Sequence, residues 1–347
     1  MIINRQIIIY LVVLFISTIF GGCNEEIETD PSPGYIYLNM SFTRALYPDE
    51  NLYNYNESRI RRVRVYIFEG ENLETTLYTT FPDGTDGLAN ILGMPGVKIG
   101  FDPVKVKVGT KNVYAVINEP LNSNAQNLLN NVHSPTDLNS LEYELDQFVS
   151  FHPESRYCLP MFAEQTKIRV THSDASSPIN LKLQTKRALA RVDIYVRKKD
   201  DVPYYIGLTP TSFLDIINSR PKGFYSPTVI PYNGLKNSYS AFLFSNQEIK
   251  YNYQLLCSFY TPERDCSTPS SKLGFKIGKI ENKGFIKDYS ATIGGNDDYI
   301  NEVQNSILNQ IERNCIYQVK CTFSKTAFYI ESIESSIKDW EYGGELE

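Results

Sequence analysis

The sequence predicts an all-β protein, built from two mostly antiparallel β-sandwiches with small helical insertions. Aromatic residues make up 13 % of the 347 residues, with 25 Tyr and 18 Phe, and aromatic and β-branched side chains favour strands. Apolar and polar residues also alternate in many short runs, which is typical of strands with one buried face. Hydrophobic residues make up 42 % and charged residues 21 %, the balance of a globular chain of about two domains.

The charge balance argues against a nucleic acid as partner. The chain carries 34 Lys and Arg against 40 Asp and Glu, a net charge of −6 at pH 7. Nucleic-acid-binding proteins usually present a basic stripe, whereas the mild acidity here is spread along the chain. We therefore expect no nucleic-acid partner.

The first 22 residues have the pattern of an export signal. Residues 7–20 form a mainly apolar run, shorter than the ~20 residues that span a bilayer and similar to the core of a secretory signal. Gly21-Gly22-Cys23 then resembles the lipobox of bacterial lipoproteins, in which the Cys is acylated and becomes the new N-terminus. We expect a signal peptide at 1–22, lipidation at Cys23 and a polar tether at 23–34. A plain signal peptide with a chance Cys is the alternative.

The first predicted strand follows the tether, and its apolar residues alternate strictly with polar ones. One face is therefore expected to be buried. Its apolar positions are Ile36, Leu38, Met40 and Phe42. The same kind of pattern predicts further strands at 62–68, 73–81, 104–108, 112–118, 157–163, 167–172, 179–197, 212–217, 239–244, 251–260, 273–280, 315–323 and 327–340. The apolar positions of the last of these change parity along its length, which predicts either a bulge or a switch between two short strands.

Two segments predict helices. Between 122 and 148, apolar residues spaced by three and four indicate two short helices, with Thr136 or Ser140 as the cap of the second. Residues 299–312 carry one apolar stripe behind Asn296-Asp297-Asp298, as in a helix with a polar N-terminus.

The domain boundary is placed at a polar stretch. Residues 173–178 are rich in Ser and end in a Pro, and segments between domains are commonly polar and contain Pro. We therefore expect an N-terminal sandwich at 35–178 and a C-terminal sandwich at 179–347.

Catalytic motifs are absent from the sequence. It has no G-x-S-x-G, H-E-x-x-H, Walker or G-x-G-x-x-G pattern, and its three His residues are isolated. We therefore expect neither enzymatic activity nor a cofactor. The carboxylates of Asp297, Asp298 and Glu302 suit Ca²⁺, but acidic residues at a helix N-terminus explain them more simply.

Four arginines form a local basic cluster: Arg59, Arg61, Arg62 and Arg64. Side chains that alternate along a strand commonly leave one face in solvent, so a solvated face is the favoured interpretation. A surface-adhesion patch is the alternative.

Five cysteines follow Cys23. Because their number is odd, at least one is unpaired within the chain. Buried thiols are the favoured interpretation, although a disulfide that closes the loop from Cys257 to Cys266 stays open. The five are Cys158, Cys257, Cys266, Cys315 and Cys321.

Several short motifs occur in one order after the export signal. They are a strand that ends in Arg44, Val-Arg-Val-Tyr-Ile-Phe at 63–68, Asn-Val-Tyr-Ala-Val-Ile-Asn at 112–118, Leu-Pro-Met-Phe at 159–162, Arg-Ala-Leu-Ala-Arg-Val-Asp-Ile at 187–194, Arg-Asn-Cys-Ile-Tyr-Gln-Val at 313–319 and Ile-Lys-Asp-Trp at 337–340. In this order they resemble the fimbrillin family, the subunits of type V pili in Bacteroidetes, over nearly the whole chain after the tether.

This resemblance implies two transthyretin-like β-sandwich domains and a route of assembly. Subunits are exported to the outer membrane as lipoproteins, and a surface Arg-specific protease cuts after an Arg that ends the first strand. In this chain the cut falls between Arg44 and Ala45; a merely charged strand end is the alternative for Arg44. Loss of the strand opens a groove, which the C-terminal strand of another subunit fills by strand addition.

The resemblance also implies roles for two sets of residues. Ile36, Leu38, Met40 and Phe42 plug the groove before the cut, and the donor strand contains Ile330, Ile333, Ile337 and Trp340. The partners are other pilus subunits, the protease and, through Cys23, the outer-membrane lipid, and the protein passes from the membrane to the fimbrium. Stalk, tip and anchor roles stay open. A glycan-binding surface lipoprotein that never polymerises and a surface hydrolase are the competing functions.

Overall fold

Two β-sandwiches, two small two-stranded sheets and two short helices make up the regular structure in the part of the chain that the computed structural model describes, so the all-β fold class is confirmed. The described residues are 33–42, 61–80, 99–119, 123–145, 158–206, 213–219, 222–227, 237–241, 248–267, 272–282, 285–293, 308, 310–325 and 327–336. Within these residues, no helix is long and apolar enough to cross a membrane.

In chain order the elements are β1 (Gly34–Phe42), β2 (Arg62–Glu69), β3 (Asn72–Thr80), β4 (Ile99–Gly100), β5 (Val104–Val106), β6 (Gly109–Ile117), α1 (Ser123–Asn130), α2 (Pro135–Asn139), β7 (Glu142–Glu144), β8 (Met161–Val170), β9 (Ile179–Arg187), β10 (Ala190–Lys198), β11 (Phe213–Ser219), β12 (Lys222–Phe224), β13 (Asn237–Ala241), β14 (Gln254–Thr261), β15 (Arg264–Asp265), β16 (Leu273–Asn282), β17 (Phe285–Ile293), β18 (Gln310–Ile311), β19 (Ile316–Phe323) and β20 (Phe328–Ser336).

The first sandwich is one sheet folded onto itself. Its strand order is β3-β2-β6-β8-β9-β1-β4, with β5 also paired to β1. β8 pairs with β6 along its whole length but with β9 only at Met161 and Phe162, so the sheet turns a corner there. Alternate apolar residues of both halves then meet in one core, which includes Ile36, Leu38, Val65, Ala115, Val170 and Leu183.

The two helices cover the outer face of the first sandwich. Leu129 of α1 and Leu138 of α2 are buried in the same apolar cluster as Tyr66 and Phe68 of β2. β2 is consequently buried on both faces, from Val63 to Phe68. Its sequence is accordingly a nearly continuous apolar run, interrupted by Arg64.

Both ends of α2 are capped by serine residues. Ser134 is the N-cap, and its side chain accepts a hydrogen bond from the backbone N–H of Asp137, whose carboxylate accepts one from the N–H of Ser134. This reciprocal arrangement is a capping box. Thr136 lies inside the helix, whereas Ser140 is its C-cap. Of the two predicted cap residues, Ser140 therefore caps the helix, at its C-terminal end, and Thr136 does not.

The second sandwich consists of two four-stranded sheets, β14-β10-β19-β20 and β13-β11-β16-β17. Apolar residues of both sheets meet in its core, which includes Val192, Ile194, Phe259, Phe275, Ile277, Val319 and Phe323. Each sandwich also contains one parallel pair, β1 with β9 and β10 with β19, because strands distant in sequence return to the same sheet.

The boundary between the two sandwiches lies farther along the chain than the predicted boundary between residues 178 and 179. Residues 173–178 connect β8 to β9 within one sheet, and β9 lies between β8 and β1. The predicted strand at 179–197 is therefore two strands, separated at Ala188 and Leu189, and the change of sandwich falls in this break. Of the predicted helix at 299–312, most lies outside the described residues, but Gln310–Ile311 form β18, which pairs with β15.

A small two-stranded ribbon joins the two sandwiches. β7 follows the helices of the first sandwich, and it pairs antiparallel with β12, which follows β11 of the second. The phenolic rings of Tyr143 and Tyr225 pack edge to face at 5.5 Å. The guanidinium of Arg313 donates hydrogen bonds to the carbonyl oxygens of Phe224, Tyr225 and Ser226, so the end of the ribbon is held by a residue of the second sandwich.

Candidate functional site

β1 occupies an interior position in the first sandwich. On one side it pairs in parallel with β9, from Ile36 to Phe42. On the other side it pairs antiparallel with β5 and then with β4. An interior strand has both rows of backbone groups hydrogen-bonded, so loss of β1 would leave unpaired strand edges on both sides of a gap.

The described apolar side chains of β1 lie in the core. Ile36 and Leu38 are 0 % exposed and belong to the apolar cluster of the first sandwich. Tyr35 and Tyr37, at the alternate positions, are half-buried. The backbones of Met40 and Phe42 continue the pairing with β9, while their side chains lie outside the described part of the structure.

The start of β1 is tightly packed. A Cβ atom at Gly34 would lie 2.4 Å from Cγ1 of Val170 and 2.8 Å from the carbonyl oxygen of Thr171. The next residue is fixed by a side chain, because the N–H of Tyr35 donates to Oγ of Ser173 at 2.7 Å. A strand that takes the place of β1 therefore needs Gly at the position of Gly34, or it must begin after that position. No local pattern in the sequence indicates this requirement at Gly34.

Two of the four predicted donor residues lie in β20. Ile330 is 4 % and Ile333 is 6 % exposed, and both are buried in the core of the second sandwich. The pairing of β20 with β19 shifts between Ile330 and Ser332, so Glu331 is the extra residue of a bulge. The expected bulge is thus present, and it lets both Ile side chains lie on the buried face.

The remaining site residues predicted from the sequence lie outside the described residues. They are Cys23, Arg44, Ala45, Ile337 and Trp340. Their assigned roles in lipidation, processing and donation stay predictions.

The basic cluster is not a solvated face, because Arg64 is buried. Its guanidinium donates to both carboxylate oxygens of Glu119, at 2.8 and 2.9 Å, and to the side-chain oxygen of Asn130 at 3.0 Å. Burial disfavours the charge of Arg64, but the hydrogen bond and charge of Glu119 outweigh burial and raise its pKa. Arg62 is only half-buried, and Arg59 lies outside the described residues.

The five cysteines after Cys23 are all buried, and none of the five forms a disulfide. The disulfide between Cys257 and Cys266 that the sequence left open is therefore not formed. Burial raises the pKa of the Cys266 thiol to about 11, and burial also raises the pKa of the Cys257 thiol well above its ordinary value. These thiols fill the core as small apolar groups.

Among the described residues, no group of three or more His, Cys, Asp and Glu side chains is placed to hold a metal ion. Asp297, Asp298 and Glu302, the calcium alternative, lie outside those residues. The candidate functional elements are therefore two strands. β1 lies between two partner strands in the first sandwich, and β20 is the last described element and lies in the second sandwich.

Comparison with known proteins agrees with this architecture. Residues 36–192 match the family model described as "Major fimbrial subunit protein (FimA)", and this match begins inside β1. The resemblance to the fimbrillin family is confirmed. No match was found among curated protein sequences.

Solved structures share this fold at low sequence identity. The C-terminally truncated tip fimbrial protein Mfa3 from Porphyromonas gingivalis is 12 % identical, with a TM-score of 0.62 over 87 % of this chain and 99 % of that one. A fimbrilin (FimA) from the same organism is also 12 % identical, with a TM-score of 0.56 over 84 % and 90 % of the two chains. A protein described as a cell adhesion protein from Parabacteroides distasonis is 15 % identical, with a TM-score of 0.54 over 87 % and 97 %.

Proposed function

We propose that this protein is a structural subunit of a cell-surface pilus and that it contributes to adhesion. The position of β1 carries the proposal. This strand completes a sheet between β9 and β5, fills the core with Ile36 and Leu38, and contains no charged residue. Such a strand can be exchanged for another apolar strand of the same direction without leaving an unpaired charge.

The exchange begins with a cut between Arg44 and Ala45 by an Arg-specific surface protease. Full burial of an apolar side chain contributes about 1.5–3 kcal/mol, so loss of Ile36 and Leu38 alone leaves a gap that is disfavoured by roughly 3–6 kcal/mol. Unpaired strand edges beside exposed core favour association. A C-terminal segment of a second subunit fills the gap and extends the fibre.

Before the cut, the precursor is anchored to the outer membrane by acyl chains on Cys23. Each buried CH₂ of such a chain contributes about 0.8 kcal/mol. Since Cys23 precedes Arg44, the same cut that opens the gap also releases the subunit from its lipid. The finished subunit therefore lies in the fimbrium rather than in the membrane.

Mass spectrometry of the N-terminus in fibres sheared from the cell surface tests this function. We expect the assembled subunit to begin at Ala45. An acylated Cys23 at the start of assembled subunits would contradict cleavage-triggered assembly and favour an anchor. A protein that is found only as a lipidated monomer would favour the glycan-binding lipoprotein.

Two substitutions test cleavage after Arg44 and lipidation at Cys23 separately. Arg44→Lys keeps the charge but removes the Arg that the protease needs, so the lipidated precursor should accumulate. Cys23→Ser should block acylation and delivery to the outer membrane. If Arg44→Lys assembles like the wild type, cleavage at this site is not the trigger.

A further inference from the structure

The side chain of Lys111 is fully buried in the first sandwich. Lys111 lies in β6, on the same face as Val113 and Ala115, which belong to the core of that sandwich. Its side chain is 0 % exposed, and within the part of the chain that the structure describes its Nζ atom has no hydrogen-bond partner. A buried ammonium group is costly unless it is paired, and two carboxylates lie beside this one.

The two carboxylates come from the two strands next to β6 in the sheet order. Oε2 of Glu74, in β3, lies 2.6 Å from Nζ of Lys111, and Oε1 of Glu69, in β2, lies 3.4 Å from the same atom. Glu69 is directly opposite Lys111 in the pairing of β2 with β6. The pairing of β3 with β2 shifts at Glu74, which is the extra residue of a bulge. Because a bulge re-aims a side chain, the carboxylate of Glu74 reaches past β2 to the amine on β6.

The surroundings of the two carboxylates differ. Oε1 of Glu74 accepts a hydrogen bond from the backbone N–H of Lys107, whereas Oε2, which faces the amine, is buried without a hydrogen-bond partner among the described residues. The side chain of Glu74 is 13 % exposed and that of Glu69 is 46 % exposed. A Cβ atom at Gly109 would lie 3.0 Å from Oε1 of Glu69, so the lack of a side chain at Gly109 leaves room for this carboxylate. One carboxyl group is therefore held against the buried amine, and a second, with access to water, lies beside the same nitrogen.

We propose that Lys111 and Glu74 condense to an isopeptide bond within the chain, with Glu69 as the group that moves protons. One proton passes from the ammonium group of Lys111 to Oε2 of Glu74, and the freed lone pair of Nζ attacks Cδ of Glu74. The N–H of Lys107 stabilises the negative charge that develops on Oε1. Glu69 takes a second proton from Nζ and delivers it to Oε2, which leaves as water. One N–C bond forms, one C–O bond breaks, both charges disappear, and no oxidant or reductant is needed.

Two physical effects favour this condensation. Groups that are held in contact reach effective concentrations of about 10⁵–10⁸ M, so a reaction that is unfavourable between free molecules becomes favourable within a fold. The amide also replaces two charges by a neutral group, which removes the desolvation penalty of a buried ion pair. The bond joins β3 to β6 across β2 and holds the turn at Lys107, which follows β5. β5 is a partner of β1, so the bond would fix the sheet beside the strand whose loss we propose.

Mass spectrometry of the purified wild-type protein tests the proposal. We expect an intact mass that is lower than the mass of the linear chain by one water molecule. Trypsin should not cut after the modified Lys111, so residues 108–156 should stay in one piece and be joined to residues 65–98. Fragmentation of the joined peptides should place the bond at Glu74. A digest with only linear peptides around these two residues would overturn the proposal, and so would a bond to Glu69.

Two variants are the controls, with circular dichroism to verify their folding. Lys111→Arg keeps the positive charge but lacks the amine, so it should have the mass of the linear chain. Glu69→Gln keeps the size of the side chain but cannot accept the proton, so its joined fraction should fall at least tenfold below that of the wild type. Equal joined fractions would overturn the role of Glu69. Fibre assembly has no part in these measurements, so their outcome is independent of the proposed function.

Discussion

The ring of Tyr143 lies directly against the backbone of Gly223. A Cβ atom at Gly223 would be 2.1 Å from the phenolic oxygen and 2.2 Å from Cζ of Tyr143. The ring cannot easily move away, because its hydroxyl donates to the carbonyl oxygen of Ala188 at 2.7 Å. β7 and β12 therefore meet through a contact that only Gly permits, at the ribbon that joins the two sandwiches.

We expect Gly223→Ala to destabilise the protein by about 1–3 kcal/mol, the usual cost of forcing an extra methyl group into a packed site. Urea unfolding measures this change. In a Tyr143→Leu background the same substitution should cost less, because the ring that it meets is gone. An equal cost in both backgrounds would show that the contact with Tyr143 is not the cause.

Leu38→Ala should destabilise the uncut protein by roughly 2–5 kcal/mol, since it removes a fully buried side chain and leaves a cavity. Leu128→Ala is the matched control. Leu128 is 61 % exposed, so the same chemical change there should alter the free energy of unfolding by about 0.5 kcal/mol or less. Chemical denaturation measures both changes. Similar losses in the free energy of unfolding at the two positions would contradict the burial of β1.

Removal of one member of the buried Arg64–Glu119 pair should be costly. Their side chains are 8 % and 0 % exposed, and an uncompensated buried charge typically costs about 3–5 kcal/mol. We expect Arg64→Met to show such a loss in thermal and urea unfolding. Arg64→Met combined with Glu119→Gln should lose less than the sum of the single changes. Strict additivity would indicate that the two side chains do not interact.

The contribution of Glu331 to stability should depend on pH. Burial opposes its ionisation, but hydrogen bonds from Thr322, Tyr253 and Arg197 outweigh burial and lower its pKa from 4.5 to about 2. Because the folded pKa lies below the unfolded one, the stabilisation is complete above about pH 5 and is lost as the pH falls from about 4.5 to 2.

Glu331→Gln should therefore cost roughly 1.5–3 kcal/mol at neutral pH, the range for a hydrogen bond to a charged group, and progressively less toward pH 2. Urea unfolding at several pH values measures the difference from the wild type. Glu334→Gln is the control, because Glu334 is exposed and pairs with Lys320 at the surface. A difference that does not change with pH would exclude the ionised Glu331 network as its source.

Much of the strand pattern is visible in the sequence. The alternation of Ile36 and Leu38 with polar neighbours predicts their burial, because the two faces of a strand alternate with every residue. The bulge in β20 is indicated by the change of parity between Ile330 and Ile333. In contrast, β17 was not predicted: the first four residues of its sequence FIKDYSATI do not alternate, so a regular pattern covers only its second half.

The burial and the partners of charged residues were harder to predict from the sequence. Arg64 resembles its neighbours Arg61 and Arg62 in sequence, yet it alone of these three is buried. Its partner Glu119 lies 55 residues away, and no local pattern links the two. The same holds for Arg197 and Glu331, which are 134 residues apart.

The sequence by itself determined the all-β fold class, the first strand with its apolar face, the two short helices between 122 and 148, and the fimbrillin resemblance, because strand alternation and helix spacing are local. Only the tertiary structure decided which strands are neighbours. It placed β9 beside β1, although Ile36 and its partner Ile179 are far apart in the chain, and it buried Ile330 and Ile333 in their own sandwich. Strand pairing joins residues that are distant in sequence, so it depends on how the whole chain packs its core.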